Sequence, residues 1–187
     1  VEYVEMSKQF FTGADLDYRG KYVHVVDTAG MPASPQPGGP KIMIGGGSPR
    51  VLGIAGRLAD IVSINFDNSA GKLGEHGLAS GTASGTTDKL QWIRDGAGER
   101  FDDIEIEIGA YFTTVTDQTE ATMSATSAAM GMTIEALAAH PHTLIGSVDQ
   151  ICETIIERRE KYGISYVTVG RHALDDFAPV VAKLAGQ

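Results

Sequence analysis

The chain has 187 residues and a formal net charge of −9, with 42% hydrophobic and 21% charged residues, which is enough apolar material for one domain with a core. The acidity argues against general binding to nucleic-acid phosphates, and no apolar run approaches the roughly 18 residues of a membrane helix. A single cysteine, Cys152, excludes an intrachain disulfide and a cysteine metal cluster, fits a reducing cytoplasmic setting, and reads as a small packed residue.

The chain opens at Val1 inside an amphipathic pattern, with Val1, Val4, Phe10 and Phe11 on one face and Gly13 as a stop, and reads as a helix end in an incomplete chain. Lys21 to Val26 is a short β segment. Residues 27–40, with Pro32, Pro35, Pro37, Gly38, Gly39 and Pro40, form a loop. Lys41 to Ile44 is an apolar strand ended by Gly45-Gly46-Gly47. Ser48 then suits a helix N-cap and Pro49 the first helical position, ahead of the stripe Val51, Leu52, Ala55 and Leu58.

Ile61 to Phe66 is the next strand. Residues 67–85, rich in Gly, Ser, Thr and Ala, predict a long flexible βα loop, and Thr87 to about Gly98 a helix. Ile104 to Val115 reads as one strong strand. Helices follow over Thr119 to Met130 and Thr133 to Ala139. Ser147-Val148-Asp149-Gln150 is a capping box opening a helix that Gly163 closes. Ile164 to Val169 is the last strand and Asp175 to Leu184 the last helix. Strands alternating with helices predict parallel pairing with crossover helices. About four such units do not close a barrel, which usually needs about 250 residues.

The stretch Ile44-Gly45-Gly46-Gly47-Ser48-Pro49-Arg50 carries the clearest chemistry. Glycines let a ligand approach the backbone. The helix behind them offers unpaired N–H groups and a positive dipole end, so a phosphate there would gain backbone bonds, the Ser48 hydroxyl and the Arg50 charge. A plain strand-to-helix turn is the alternative. The stretch has neither the Gly-Lys-Ser/Thr of a P-loop nor the spacing of a dinucleotide fingerprint.

Weaker signals have ordinary readings. His140 and His142 lack a third ligand and read as exposed residues of a helix-ending turn. His76 reads as a solvated loop residue. Asn65, Asp67 and Asn68 follow a strand at the face where barrel enzymes keep their sites, as do Arg171 and His172, but such residues also start turns or form surface ion pairs. The run Glu157 to Lys161 reads as a solvated helix face.

Lys41 to Leu52, followed by Ala55-Gly56-Arg57-Leu58-Ala59-Asp60-Ile61-Val62, resembles the fifth strand, loop and helix of luciferase-like monooxygenases, above all their branch dependent on the deazaflavin F420. Leu144 to Ser147, Gly163 to Val169 and Phe177 to Val181 resemble the same branch. The resemblance implies an α/β fold, the C-terminal half of a (β/α)8 barrel. It implies that Gly45, Gly46, Gly47 and Ser48 touch a cofactor phosphate, with F420 as cofactor and FMN as the alternative. The other half of the barrel would carry much of the ring-binding surface and the catalytic acid or base. This chain alone is therefore expected to be inactive, and to pair with a second copy or with the missing half. The competing readings are an FMN-dependent monooxygenase and a non-catalytic half-barrel that serves as an interaction protein.

Overall fold

The computed structural model describes residues 1–69, 71 and 75–186, with 75 and 76 described by their backbone only. Helix α1 (Glu2–Phe11) leads into an antiparallel hairpin of β1 (Asp15–Arg19) and β2 (His24–Ala29). The sequence predicts a single β segment here. Strand β1 escapes notice because charged residues Asp15, Asp17 and Arg19 alternate with Leu16 and Tyr18, and only Leu16 is buried. Residues 30–42 are irregular, so the Pro/Gly-rich loop starts after β2 rather than at Asp27.

Next come β3 (Met43–Gly46), α2 (Pro49–Leu58), β4 (Ile61–Ile64), α3 (Glu75–Ser80) and α4 (Ala83–Ala97). The stretch read as one loop over 67–85 thus contains α3 and the start of α4, which Thr82 caps through a bond from the Gly85 N–H. After a 3-10 turn the chain forms β5 (Glu105–Ala110) and β6 (Phe112–Val115), then α5 (Thr119–Met130), α6 (Ile134–Ala138), β7 (Thr143–Gly146), α7 (Val148–Tyr162), β8 (Ile164–Val169) and α8 (Leu174–Leu184). Ser147 and Gln150 form the predicted capping box, and Gly163 takes the left-handed cap at φ 71°.

Strands β3, β4, β5 and β8 form one parallel sheet in that order. Their apolar faces pack on α2, α4 and α7 in a cluster that includes Leu52, Val62, Ile64, Ile93, Ile106, Ile108 and Tyr162. Leu52, Ile64 and Ile93 are 0% exposed, so trimming any of them to alanine costs about 2–5 kcal/mol. Side chains alternate along a strand, which leaves Ser63, Glu107 and Gly109 on the opposite face.

The predicted single strand over Ile104 to Val115 is broken at Tyr111, whose N–H turns back to the Gly109 carbonyl at 3.1 Å. Beyond the break, β6 leaves the main sheet and pairs in parallel with β7. Strand β7 is too short, at four residues, to show a period of its own. Among the described residues, no helix is long and apolar enough to cross a membrane.

Candidate active site

The C-terminal ends of β3, β4, β5 and β8 lie side by side, and each leads into a loop or turn. After β3, Gly45 is exposed, Gly46 half-buried and Gly47 buried. The three glycines have different reasons. A Cβ on Gly47 would meet the Phe66 carbonyl carbon at 2.3 Å and the Asp67 nitrogen at 2.5 Å, so backbone packing alone demands glycine there. A Cβ on Gly46 would stand 2.4 Å from Val51 Cγ1. Only Gly45 faces outward, its nearest neighbour being Asn65 Nδ2 at 3.1 Å from an added Cβ.

Ser48 occupies the N-cap position of α2 in an extended conformation, yet its side chain makes no cap hydrogen bond. Its hydroxyl is therefore not consumed by the helix. Pro49 has no N–H to lose, the first turn contains no acidic residue, and Arg50 is exposed. First-turn N–H groups have no intrahelical acceptor. The donor set around Gly45 to Arg50 thus suits an anion. A cleft of about 300 Å³ adjoins it, bounded by Gly47, Asp67, Ser80, Thr82, Gly85 and Lys89.

Beyond β4 the chain builds a second cluster, of which the sequence singles out only Asn65. The Tyr111 hydroxyl donates to Asn65 Oδ1, and Asn65 Nδ2 donates to Ser63 Oγ at 3.1 Å. Tyr111 lies over Gly109, where an added Cβ would come within 2.9 Å of the phenol ring. Phe66 stacks on Tyr111 at 5.6 Å and His142 stacks on it at 5.3 Å. On the same sheet face Thr168 donates to the Glu107 carboxyl at 2.6 Å. Burial, reinforced by Glu107, raises the Tyr111 pKa and keeps its phenol protonated.

His140 and His142 are both 0% exposed, which overturns the reading of them as exposed turn residues. The His142 Nδ1 lies 2.8 Å from the Gly109 carbonyl, so Nδ1 carries the proton. The His142 backbone N–H donates to His140 Nδ1 at 3.3 Å, which puts the His140 proton on Nε2. Neither Nε2 has a hydrogen-bond partner among the described residues. Burial pushes both imidazoles down to about 4, and both therefore stay neutral.

Two cations, Lys89 buried and Arg158 half-buried, brace the same region. Lys89, 1% exposed, donates to the Asn65 and Ser80 carbonyls at 2.6 and 2.7 Å, and burial pushes its ammonium down to about 8. Arg158 donates to the Pro141 and His140 carbonyls at 2.9 and 3.1 Å. Arg158 therefore departs from the solvated helix face predicted for Glu157 to Lys161. Its outward neighbours hide this at the level of sequence.

Of the other predicted positions, Asn65 joins the Tyr111 cluster. The Asp67 N–H donates to Ser80 Oγ at 2.7 Å, and its carboxylate accepts the Ser69 N–H at 2.9 Å. Arg171 and His172 are exposed in the turn after β8. The side chain of His76 lies outside the described residues. Cys152 is 7% exposed and packed in the core, as expected. No group of three or more metal-ligating side chains occurs among the described residues.

The family model described as luciferase-like monooxygenase matches residues 1–139. The chain belongs to that family. Its fold resembles the F420-dependent tetrahydromethanopterin reductase from Methanopyrus kandleri, with a TM-score of 0.66 and 18% identity over 96% of this chain and 59% of that one. It also resembles an F420-dependent secondary alcohol dehydrogenase, with a TM-score of 0.67 and 13% identity over 97% of this chain and 60% of that one. A third similar structure is the long-chain alkane monooxygenase LadA, with a TM-score of 0.60 and 16% identity over 91% of this chain and 46% of that one. Comparison with the curated proteins gave no match. This luciferase-like chain spans about half to three-fifths of those structures, as a partial barrel with an α/β parallel sheet.

Proposed function

We propose that this protein is an oxidoreductase that works by hydride transfer through F420, with Gly45, Gly46, Gly47, Ser48 and Arg50 holding the cofactor phosphate. The observation that carries the reading is the uncapped Ser48 hydroxyl beside the outward-facing Gly45, at the start of a helix whose first turn has no acid. When bound, the deazaflavin would supply the hydride chemistry. The chain's own residues would bind and orient it: backbone N–H groups and Ser48 by hydrogen bonds, Arg50 by charge. FMN would present the same phosphate chemistry to the same loop. Similarity to F420-dependent structures supports the first cofactor, and similarity to a monooxygenase determined in complex with FMN supports the second.

The sheet ends at β3 on one side and β8 on the other. Such edges offer unpaired backbone groups to another strand. We propose that they receive the complementary strands of the barrel, and that turnover requires them. The test is a titration of the protein with F420 and with FMN, followed by fluorescence and repeated with Arg50→Ala. Saturable binding weakened by that substitution is expected. Absence of binding by both compounds, or binding indifferent to Arg50, overturns the phosphate assignment.

A further inference from the structure

The Tyr111 cluster has a hydrogen-bonding capacity that its internal contacts do not use up. Asn65 has two amide N–H donors, and Ser63 takes one of them. Tyr111 gives its one proton to Asn65 and keeps an oxygen that can accept. Although it is stacked against Phe66 and His142, Tyr111 is still 49% exposed, so part of its ring remains open to a ligand. The buried Glu107 carboxyl lies on the same sheet face, one inward position before Gly109, over which the phenol rests.

We propose that Tyr111 and Asn65 form a subsite for an uncharged planar group of the amide class, and that Glu107 makes the same subsite reject carboxylates. The proposal names a substrate class for the site described above and rests on that reading only for its position at this end of the sheet. An amide carbonyl accepts the second Asn65 N–H, its own N–H donates to the Tyr111 oxygen, and its plane lies along the phenol. A carboxylate offers acceptors only, finds one donor instead of a donor and an acceptor, and meets the charge of Glu107. The Lys89 ammonium keeps its charge behind the Asn65 and Ser80 backbone carbonyls to which it donates, but the charge acting on the Tyr111 phenol is that of Glu107. The cluster also adjoins the anion loop: a Cβ on Gly45 would touch Asn65 Nδ2. An uncharged group on Tyr111 would therefore sit beside whatever Gly45 and Ser48 hold.

Benzamide and benzoate are matched probes of shape and differ in charge. The full chain, labelled with ¹⁵N, is titrated with each while the side-chain amide signal of Asn65 is followed. Benzamide is expected to shift that signal saturably, with benzoate at least about tenfold weaker, since the difference in affinity defines specificity. Tyr111→Leu should weaken benzamide, and Glu107→Gln should narrow the gap between the probes. If Glu107→Gln does not fold, the comparison of the two probes on the unaltered chain still decides. Equal or tighter binding of benzoate, an Asn65 signal indifferent to benzamide, or unchanged benzamide affinity in Tyr111→Leu overturns the proposal. Neither probe carries a phosphate, so failure here leaves the cofactor reading standing, and failure of F420 and FMN to bind leaves this one standing.

Discussion

Gly47 and Phe66 are pressed together so closely that a Cβ on the glycine would stand 2.2 Å from the Phe66 carbonyl oxygen. The turn after β3 is thereby fixed against the exit of β4. A glycine-rich loop beside a helix N-terminus invites a single explanation, ligand contact, but here neighbouring glycines answer to different demands. Gly47 serves the protein's own backbone, whereas Gly45 faces the outside.

That division separates folding from binding. Gly47→Ala must push the Phe66–Asp67 backbone aside and is expected to cost about 2 kcal/mol or more. Gly45→Ala meets side-chain atoms first, Asn65 Nδ2 at 3.1 Å, Ser63 Cβ at 3.4 Å and Ser63 Oγ at 3.6 Å. It should cost less than about 1 kcal/mol yet weaken F420 or FMN binding. Urea unfolding and cofactor titration of the two variants check this. A Gly47→Ala protein as stable as the parent would contradict the packing argument.

The two serine N-caps should behave in opposite ways. Ser147 accepts the Gln150 N–H at 3.3 Å, and the Gln150 side chain accepts the Ser147 N–H at 2.9 Å. Ser147→Ala should therefore destabilise the protein by about 1 kcal/mol. Ser48 makes no such bond. Ser48→Ala should leave the urea midpoint almost unchanged while lowering cofactor affinity. Equal loss of stability in both variants would mean that Ser48 caps α2 in solution.

Acid should weaken the fold earlier than ordinary carboxylate titration does. Burial lowers His140 and His142 from 6.5 to about 4. Below pH 6.5 the unfolded chain takes up two protons that the native state refuses until about pH 4, so stability falls as pH falls through this window. Linkage makes the loss on the order of 3 kcal/mol for one such group, and less than double for the coupled pair. The contribution is fully present above pH 6.5. Urea midpoints measured from pH 7.5 down to pH 4.5 should decline steadily in the parent, and His140→Phe should show a shallower decline. Identical slopes would remove His140 from this role.

The parallel sheet was legible because Ile61 to Ile64 and Ile164 to Val169 are apolar runs bounded by helical stripes. The capping box and the Gly163 stop were legible because caps are local. Strand β1 was not, since its charged residues point outward at a hairpin. The break at Tyr111 was not either, because the run from Ile104 to Val115 keeps β-forming residues on both sides of it. The Tyr111 site was missed for the same reason. His140 and His142 sit about 30 residues beyond Tyr111 in sequence, and only the pairing of β6 with β7 brings them onto Phe66 and Tyr111. A polar pair next to a proline looks solvated until its long-range neighbours are known.

The change of sheet at Tyr111 divides the chain into a frame and a second, separately paired part. The register of β4, β5 and β8 is set by pairs such as Ile108 with Ile64 and Val167. None of these pairs involves residues 112–146. Packing ties that segment to the frame instead: Leu144 shares a buried cluster with Ile151 and Phe177, His142 lies against Phe66, and Arg158 holds the His140 and Pro141 carbonyls. Any change within it also reaches the C-terminal end of the sheet, because the Gly109 carbonyl takes both the Tyr111 N–H and the His142 imidazole. One backbone oxygen is thus a joint between the two parts.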